Sequence, residues 1–223
     1  MGRAETASTD LSHVQGSGAA RVSGRALPRS FFERPSPVVA RDLVGRIVES
    51  RTSAGRVRVR LVEVEAYAGE DDAASHAWRG PTPRTQVMYG PPGRAYVYFS
   101  YGMHWCLNLV CEGEGRASAV LLRAGEVLEG VDAVRARRGP RPPDRRLASG
   151  PANLAVALGV DGAWDGLSVV ARGSALRVLE GAPVGDADVV AGPRVGITRA
   201  VGTPWRFHVA DNPCVSGPRR AGG

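Results

Sequence analysis

Lysine is missing from this sequence: all 29 basic residues among its 223 are arginine. A bias toward arginine codons accounts for that, yet the chemical consequence stands. No Schiff base can form on a lysine side chain, and the N-terminal amine is a remote exception. Cysteine is scarce. Cys106, Cys111 and Cys214 are odd in number and in no metal-ligand spacing, which reads as free thiols in a reducing, cytoplasmic setting. The four histidines are scattered, none of them in a His/Cys/Asp cluster, so no metal and no cofactor is expected. No apolar run approaches the length that crosses a bilayer and the N-terminus lacks an apolar leader, so no membrane partner is expected.

What is present suits one packed domain: 43% of the residues are hydrophobic and 23% charged, near globular averages. The net charge of +7 fits a polyanionic partner, because basic side chains displace condensed counterions, but charge alone is weak evidence. Residues 1–26 lack periodicity and are expected to form a disordered basic tail, 27–218 the domain and 219–223 a short flexible C-terminus. Ser36-Pro37 marks a helix start, with Val38, Val39, Leu43 and Val44 as its apolar stripe and Gly45 as its stop. Segments 56–67, 95–99, 105–111 and 119–122 are β-forming, and Ser100-Tyr101-Gly102 falls at the tip of a hairpin. Val127, Leu128, Val131 and Val134 recur at helical spacing as far as Gly139-Pro140, 135–146 reads as a surface loop, and Ser149-Gly150-Pro151 opens a helix that Gly159 ends. Short β-like runs alternate with turns over 167–215. The fold class expected is α+β: a single mixed domain with a curved, mainly antiparallel β-sheet flanked by helices and a protruding β-hairpin.

The stretch Val62-Glu63-Val64-Glu65-Ala66-Tyr67 puts two carboxylates inside an apolar β-run, which is costly unless each is paired or functional. Period-two geometry sets Glu63, Glu65 and Tyr67 on one strand face. For an arbitrary protein an edge strand with a solvated polar face is the favoured explanation of them. Three features tilt the balance. His76 follows Asp72 by one helical turn's spacing; Tyr96 and Tyr98 share a strand face while Tyr101 lies at the turn; and Asn108 interrupts the apolar strand Leu107-Asn108-Leu109-Val110, where a buried amide needs a partner. Together they supply a carboxylate to hold water, aromatic faces to hold a flat ring, and an aromatic on an exposed turn.

The stretches 63–67 and 71–76, the long motif Gly90-Pro91-Pro92-Gly93-Arg94-Ala95-Tyr96-Val97-Tyr98-Phe99-Ser100-Tyr101-Gly102-Met103-His104-Trp105-Cys106-Leu107-Asn108, and 120–124, 149–151, 194–197, 204–207 and 212–216 together resemble the family of 3-methyladenine (alkyladenine) DNA glycosylases. The similarity spans roughly residues 31–217 in the family's order. Gly125 and Val127 depart from it, standing where Leu and Pro are usual after the Arg-Ala pair. The resemblance implies that Glu65 is the general base for the attacking water and that Arg123 helps hold Glu65 and that water. It implies a base pocket of Tyr67, His76, Tyr98 and Asn108, the last rejecting the amino group of ordinary guanine. Tyr101 would wedge into the minor groove with Met103 in support. The partner implied is double-stranded DNA with damaged purines, met by a monomer in a bacterial-type cytoplasm, at the nucleoid.

Physics agrees with those roles. Alkylation at N3 or N7 makes a purine cationic, so it leaves without prior protonation, and aromatic faces favour a cationic ring by about 0.5–2 kcal/mol. The oxocarbenium-like sugar is cationic too and is stabilised by a nearby carboxylate. Two other classes compete with this monofunctional glycosylase: a carboxylate-dependent nucleoside or glycoside hydrolase, which leaves the Tyr101 turn and the basic surplus unexplained, and a noncatalytic DNA-binding module, for which a buried glutamate facing phosphate is a liability.

Overall fold

The computed structural model describes residues 24–100, 102–182 and 184–217. Among these residues one antiparallel sheet of nine strands carries four α-helices. In chain order the elements are α1 (Arg29–Phe32), α2 (Ser36–Leu43), β1 (Ile47–Thr52), β2 (Gly55–Ala68), β3 (Ala95–Ser100), β4 (His104–Cys111), β5 (Ser118–Glu129), α3 (Val131–Arg138), β6 (Ala148–Ser149), α4 (Pro151–Leu158), β7 (Leu176–Leu179), β8 (Val189–Gly192) and β9 (Arg206–Val209). The spatial order is β3-β4-β5-β2-β1-β7, with β6 on β5 and the β8–β9 pair on β2. This is the α+β domain expected. Most of the expected tail lies outside the described residues, although Ala26 already bridges to Leu179.

The central strand, β2, decides where the functional side chains go. Its first half pairs with β1, Glu63–Glu65 pair with β9, and β5 runs along its other edge. The edge-strand reading of Glu63 and Glu65 is therefore overturned. Along β2, Val57, Val59 and Leu61 enter the main core, but so do Val64 and Ala66, which have the opposite parity. The switch coincides with register shifts on either side of Glu63: Leu61 faces Gly125, Glu63 faces Ala124 and Val64 faces Leu122. One residue on each strand, Val62 on β2 and Arg123 on β5, is passed over in the pairing. Such bulges re-aim side chains. Here they bring Glu63, Glu65 and Tyr67 out of phase with the core residues before them and put Arg123 alongside.

Helices α2 and α4 cover the core face, burying Val39, Ala40 and Leu43 from one and Leu154, Ala157 and Leu158 from the other. Val38, expected in the apolar stripe, is instead 45% exposed, because the buried face runs through positions 36, 39, 40 and 43. The Ser36 hydroxyl does not cap its helix; it donates to the Tyr67 carbonyl at 3.0 Å and ties α2 to the end of β2.

Two expectations are corrected downstream of Arg123. Val127 and Leu128 belong to β5, and the helix starts at Val131, after Gly130 with φ of 82°. The continuation is a pairing effect. Residues Gly125 to Glu129 still have β2 to bond to, opposite Leu61 to Arg58, and tertiary pairing overrides a weak helical spacing. Helix α3 then runs through Arg138 and ends at Gly139, where the helical spacing placed its stop, so the segment read as a loop from 135 begins only after the helix.

Gly125 lies where the two strands press together: a Cβ there would sit 2.5 Å from the Arg60 carbonyl oxygen and against the Val59 side chain. Gly125→Ala is expected to destabilise the domain by about 1–3 kcal/mol, through backbone displacement next to the bulge. Chemical denaturation would show it as a lower midpoint at unchanged slope.

Candidate functional site

On the face of the sheet away from the main core lies a cleft of about 880 Å³. Its walls include Tyr67, His76, Tyr98, Asn108 and Arg123, so five of the eight side chains singled out in the sequence meet at one place. Glu65 is the sixth, one layer deeper. It has no exposed surface, and its carboxylate accepts hydrogen bonds from the Tyr67 hydroxyl at 2.9 Å, Arg123 Nη1 at 3.3 Å and the Val195 amide at 2.7 Å. All three donors line the cleft, so the carboxylate lies directly beneath the floor they form. Met103 does not join them; it is 68% exposed in the turn after β3. Tyr101 lies outside the described residues.

Glu63, two residues back on the same face, is equally buried. Arg123 Nε donates to it at 2.9 Å, Arg206 Nε at 2.7 Å, the Ser216 amide at 2.6 Å and the Ser216 hydroxyl at 3.0 Å. Burial alone would push its pKa up; the Arg123 charge, the Ser216 amide and the Arg206 charge more than offset this and hold it below the ordinary value. Arg123 spans both carboxylates with separate nitrogens, and its Nη2 reaches the Ser216 hydroxyl at 3.1 Å.

The Tyr67 ring is fixed from beneath as well. Arg194 places its guanidinium carbon 4.7 Å from the ring centroid, with the Trp205 ring 5.3 Å from the same carbon. Arg194 is buried and paired with Asp72, Nη2 to Oδ1 at 2.8 Å, and it donates to the Ala66 carbonyl at 2.9 Å. Asp72 is thus a structural anion, not part of the cleft wall. Burial, followed by the Glu65 charge and hydrogen bond, drives the Tyr67 pKa far above the ordinary phenol, so this hydroxyl stays a donor.

On the opposite wall the His76 ring meets Tyr98 edge-on at 4.5 Å, and its Nδ1 lies 3.1 Å from the Tyr96 hydroxyl. Enclosure against these rings, and then the Arg84 charge, push the His76 pKa down, keeping it neutral near pH 7. Asn108 is buried and donates through Nδ2 to the Tyr96 carbonyl at 3.1 Å, which satisfies the amide that stood out in an apolar strand. At the mouth Trp78 lies beneath two arginines, Arg199 at 4.5 Å and Arg79 at 5.6 Å.

Sequence reasoning gave no role to Glu63, Arg194, Arg206 or Ser216. The signal for Glu63 was the phase change in the β2 alternation. The other three lie 129 or more positions beyond Glu65 in the chain, and only folding brings them near it.

The cleft thus combines aromatic walls, arginines at its rim and a buried carboxylate beneath its floor. Residues 30–213 match the family model described as methylpurine-DNA glycosylase (MPG), and the chain belongs to that family of DNA glycosylases. It is 52% identical over 197 residues to a Streptomyces avermitilis protein, a match covering 87% of this chain and 92% of the other. A Frankia casuarinae protein is 51% identical over 198 residues, 85% of this chain and 91% of its own, and one from Methanocella arvoryzae 46% over 193 residues, 85% and 95%. All three carry names as 3-methyladenine DNA glycosylases.

Glu63→Gln removes the charge that separates Arg123 from Arg206 and is expected to cost about 3 kcal/mol near neutral pH. Because the folded pKa of Glu63 is depressed, its stabilisation is present above the ordinary value near 4.5 and fades as pH falls through the folded value. Thermal unfolding scans should therefore show wild type losing stability on acidification below that value, with a flatter profile in the variant.

Proposed function

We propose that this DNA glycosylase removes alkylated purines, 3-methyladenine and 7-methylguanine, with hypoxanthine as the neutral counterpart, from duplex DNA by hydrolysis. The observation that carries this reading is the Glu65 carboxylate, buried beneath Tyr67, Arg123 and Val195 at the floor of the aromatic cleft. The target nucleotide is everted into the cleft, its base lying among Tyr67, His76 and Tyr98 and meeting Asn108 at its edge. A water entering at the Arg123 side of the floor gives a proton to Glu65 as its oxygen bonds C1′. The C1′–N bond breaks, and its electron pair goes to the base, which leaves neutral when it was alkylated and cationic.

Glu65 also faces the oxocarbenium-like sugar, so one charge serves both partners of the displacement. Its three hydrogen bonds and full burial restrict it to one geometry, which is the preorganisation such stabilisation needs. A neutral base needs a proton on departure, and with His76 neutral and the Tyr67 and Tyr98 phenols pushed far up, none of these side chains is a good acid, so neutral purines should leave more slowly than cationic ones. The sequence has no lysine, so the product is an abasic site with its strand intact.

Arg79 and Arg199 at the mouth have no carboxylate within ion-pair distance among the described residues, which leaves their charge for phosphates. Phe99 and Ser100 line the cleft, and the Tyr101 side chain that follows them in the sequence would fill the gap left by the everted nucleotide, with Met103 in support. No helix among the described residues is long and apolar enough to cross a membrane. The same reading has the protein working as a monomer on chromosomal DNA in the cytoplasm.

Glu65→Gln is expected to lower release of 7-methylguanine from a methylated duplex by at least about 100-fold, while leaving affinity for that duplex within a few-fold. Single-turnover kinetics beside a binding titration separates the two; undiminished release would move the base to another residue. In the same assay Tyr101→Ala should weaken binding to an abasic-site duplex with no change in Tm.

A further inference from the structure

Arg84 projects from a short turn closed by reciprocal side-chain bonds. The Thr82 amide donates to the Thr85 hydroxyl at 2.9 Å, the Thr85 amide to the Thr82 hydroxyl at 3.3 Å, and the two hydroxyls lie 3.0 Å apart. Thr85 is buried and the intervening residue, Pro83, has a fixed φ, so the turn aims Arg84 in one direction. That direction is into the cleft. Its guanidinium carbon lies 5.0 Å from the Tyr98 ring centroid. The charge is felt by His76, Tyr96, Tyr98 and Cys106, four groups that line the cleft. Among the described residues no carboxylate pairs with it, in contrast to Arg123 in the floor and Arg194 behind Tyr67.

A guanidinium over an aromatic ring uses the attraction that the ring would otherwise offer to a cationic ligand. A second cation brought to the same wall loses that attraction and meets a like charge in a partly desolvated cleft. A neutral purine meets neither penalty, and the planar guanidinium can itself stack on a neutral heteroaromatic ring. We propose that Arg84 is a specificity-determining residue: its guanidinium, lying over Tyr98, occupies the cation-binding face of the aromatic wall and narrows the preference for cationic over neutral purines. The proposal rests on the reading of the cleft as a purine site.

The two can be tested apart with small ligands and the full-length protein. Tryptophan fluorescence or calorimetry would give the affinity of 7,9-dimethyladeninium, a permanent cation, and of 9-methyladenine, its neutral counterpart, for wild type, Arg84→Ala and Arg84→Lys. Expected for Arg84→Ala is tighter binding of the cation by about tenfold, within the range of a cation–π contact, with the neutral ligand changed by no more than about twofold. Arg84→Lys, which keeps the charge, should stay near the wild-type ratio. On DNA, the ratio of kcat/KM for 7-methylguanine over hypoxanthine should rise by a similar factor in Arg84→Ala. Unchanged affinities, or equal shifts for both ligands, would overturn the role of Arg84 and leave the glycosylase reading intact. Failure of both ligands to bind wild type and both variants would overturn the purine cleft itself, and Arg84 with it.

Discussion

Two glutamates two residues apart on one face of a central strand, both without exposed surface, would be costly neighbours if left unpaired. Arg123 prevents that. Its guanidinium stands between them, Nε on Glu63 and Nη1 on Glu65, and the strand that carries it reaches this position through a bulge opposite the glutamates' own. The floor of the cleft and the local register of β2 and β5 both depend on this three-membered contact. The two carboxylates are nevertheless unequal. Glu63 is surrounded by Arg123, Arg206 and Ser216, and its bonds leave it no approach for a ligand. Glu65 has one arginine, one phenol and one amide, all on the cleft side. The inner glutamate fixes the arginine, and the arginine fixes the outer one.

The aromatic walls obey the same logic of support from behind. Tyr67 is held by an arginine that Asp72 neutralises, so the ring has a rigid backing without a net charge beneath it. Tyr98 has an arginine in front of it, in the cleft, with no such neutralising partner among the described residues. Two tyrosines of similar accessibility thus face a ligand with different electrostatics, set by residues that are not themselves aromatic. A preference among lesions read from the ring types alone would miss this.

Much of this was legible in the sequence because its physics is local. The alternation in 56–67 announced the strand, the parity of Glu63, Glu65 and Tyr67 their shared face, and the isolated Asn108 a polar group with a cross-strand partner. The alternation also contained the clue to the bulge. Val57, Val59 and Leu61 keep one phase, and Val62, Val64 and Ala66 keep the other. A break of phase within an unbroken apolar strand has few causes besides an extra residue. What could not be read was long-range: that Val127 and Leu128 extend a strand rather than begin a helix depends on β2 lying alongside, and the roles of Arg194, Arg206 and Ser216 depend on the chain's return to the sheet near its end. Period gives the face of a residue and says nothing about its partner on a distant segment.

The absence of lysine acquires a structural meaning here. A lysine at position 123 could place one charge near both carboxylates, but it could not direct separate nitrogens to Glu63, Glu65 and Ser216 in a fixed plane. At 194, an ammonium could not lie flat between the Tyr67 and Trp205 rings while pairing with Asp72. Codon bias is enough to explain why the basic residues are arginine, yet the buried site uses the guanidinium's geometry as well as its charge. The rim uses it differently, with Arg79 and Arg199 resting on Trp78 instead of on carboxylates. The net charge of +7 is therefore a poor guide to where DNA would lie. Paired arginines hold the fold together, while Arg79 and Arg199, stacked on Trp78 at the rim, have no carboxylate partner among the described residues.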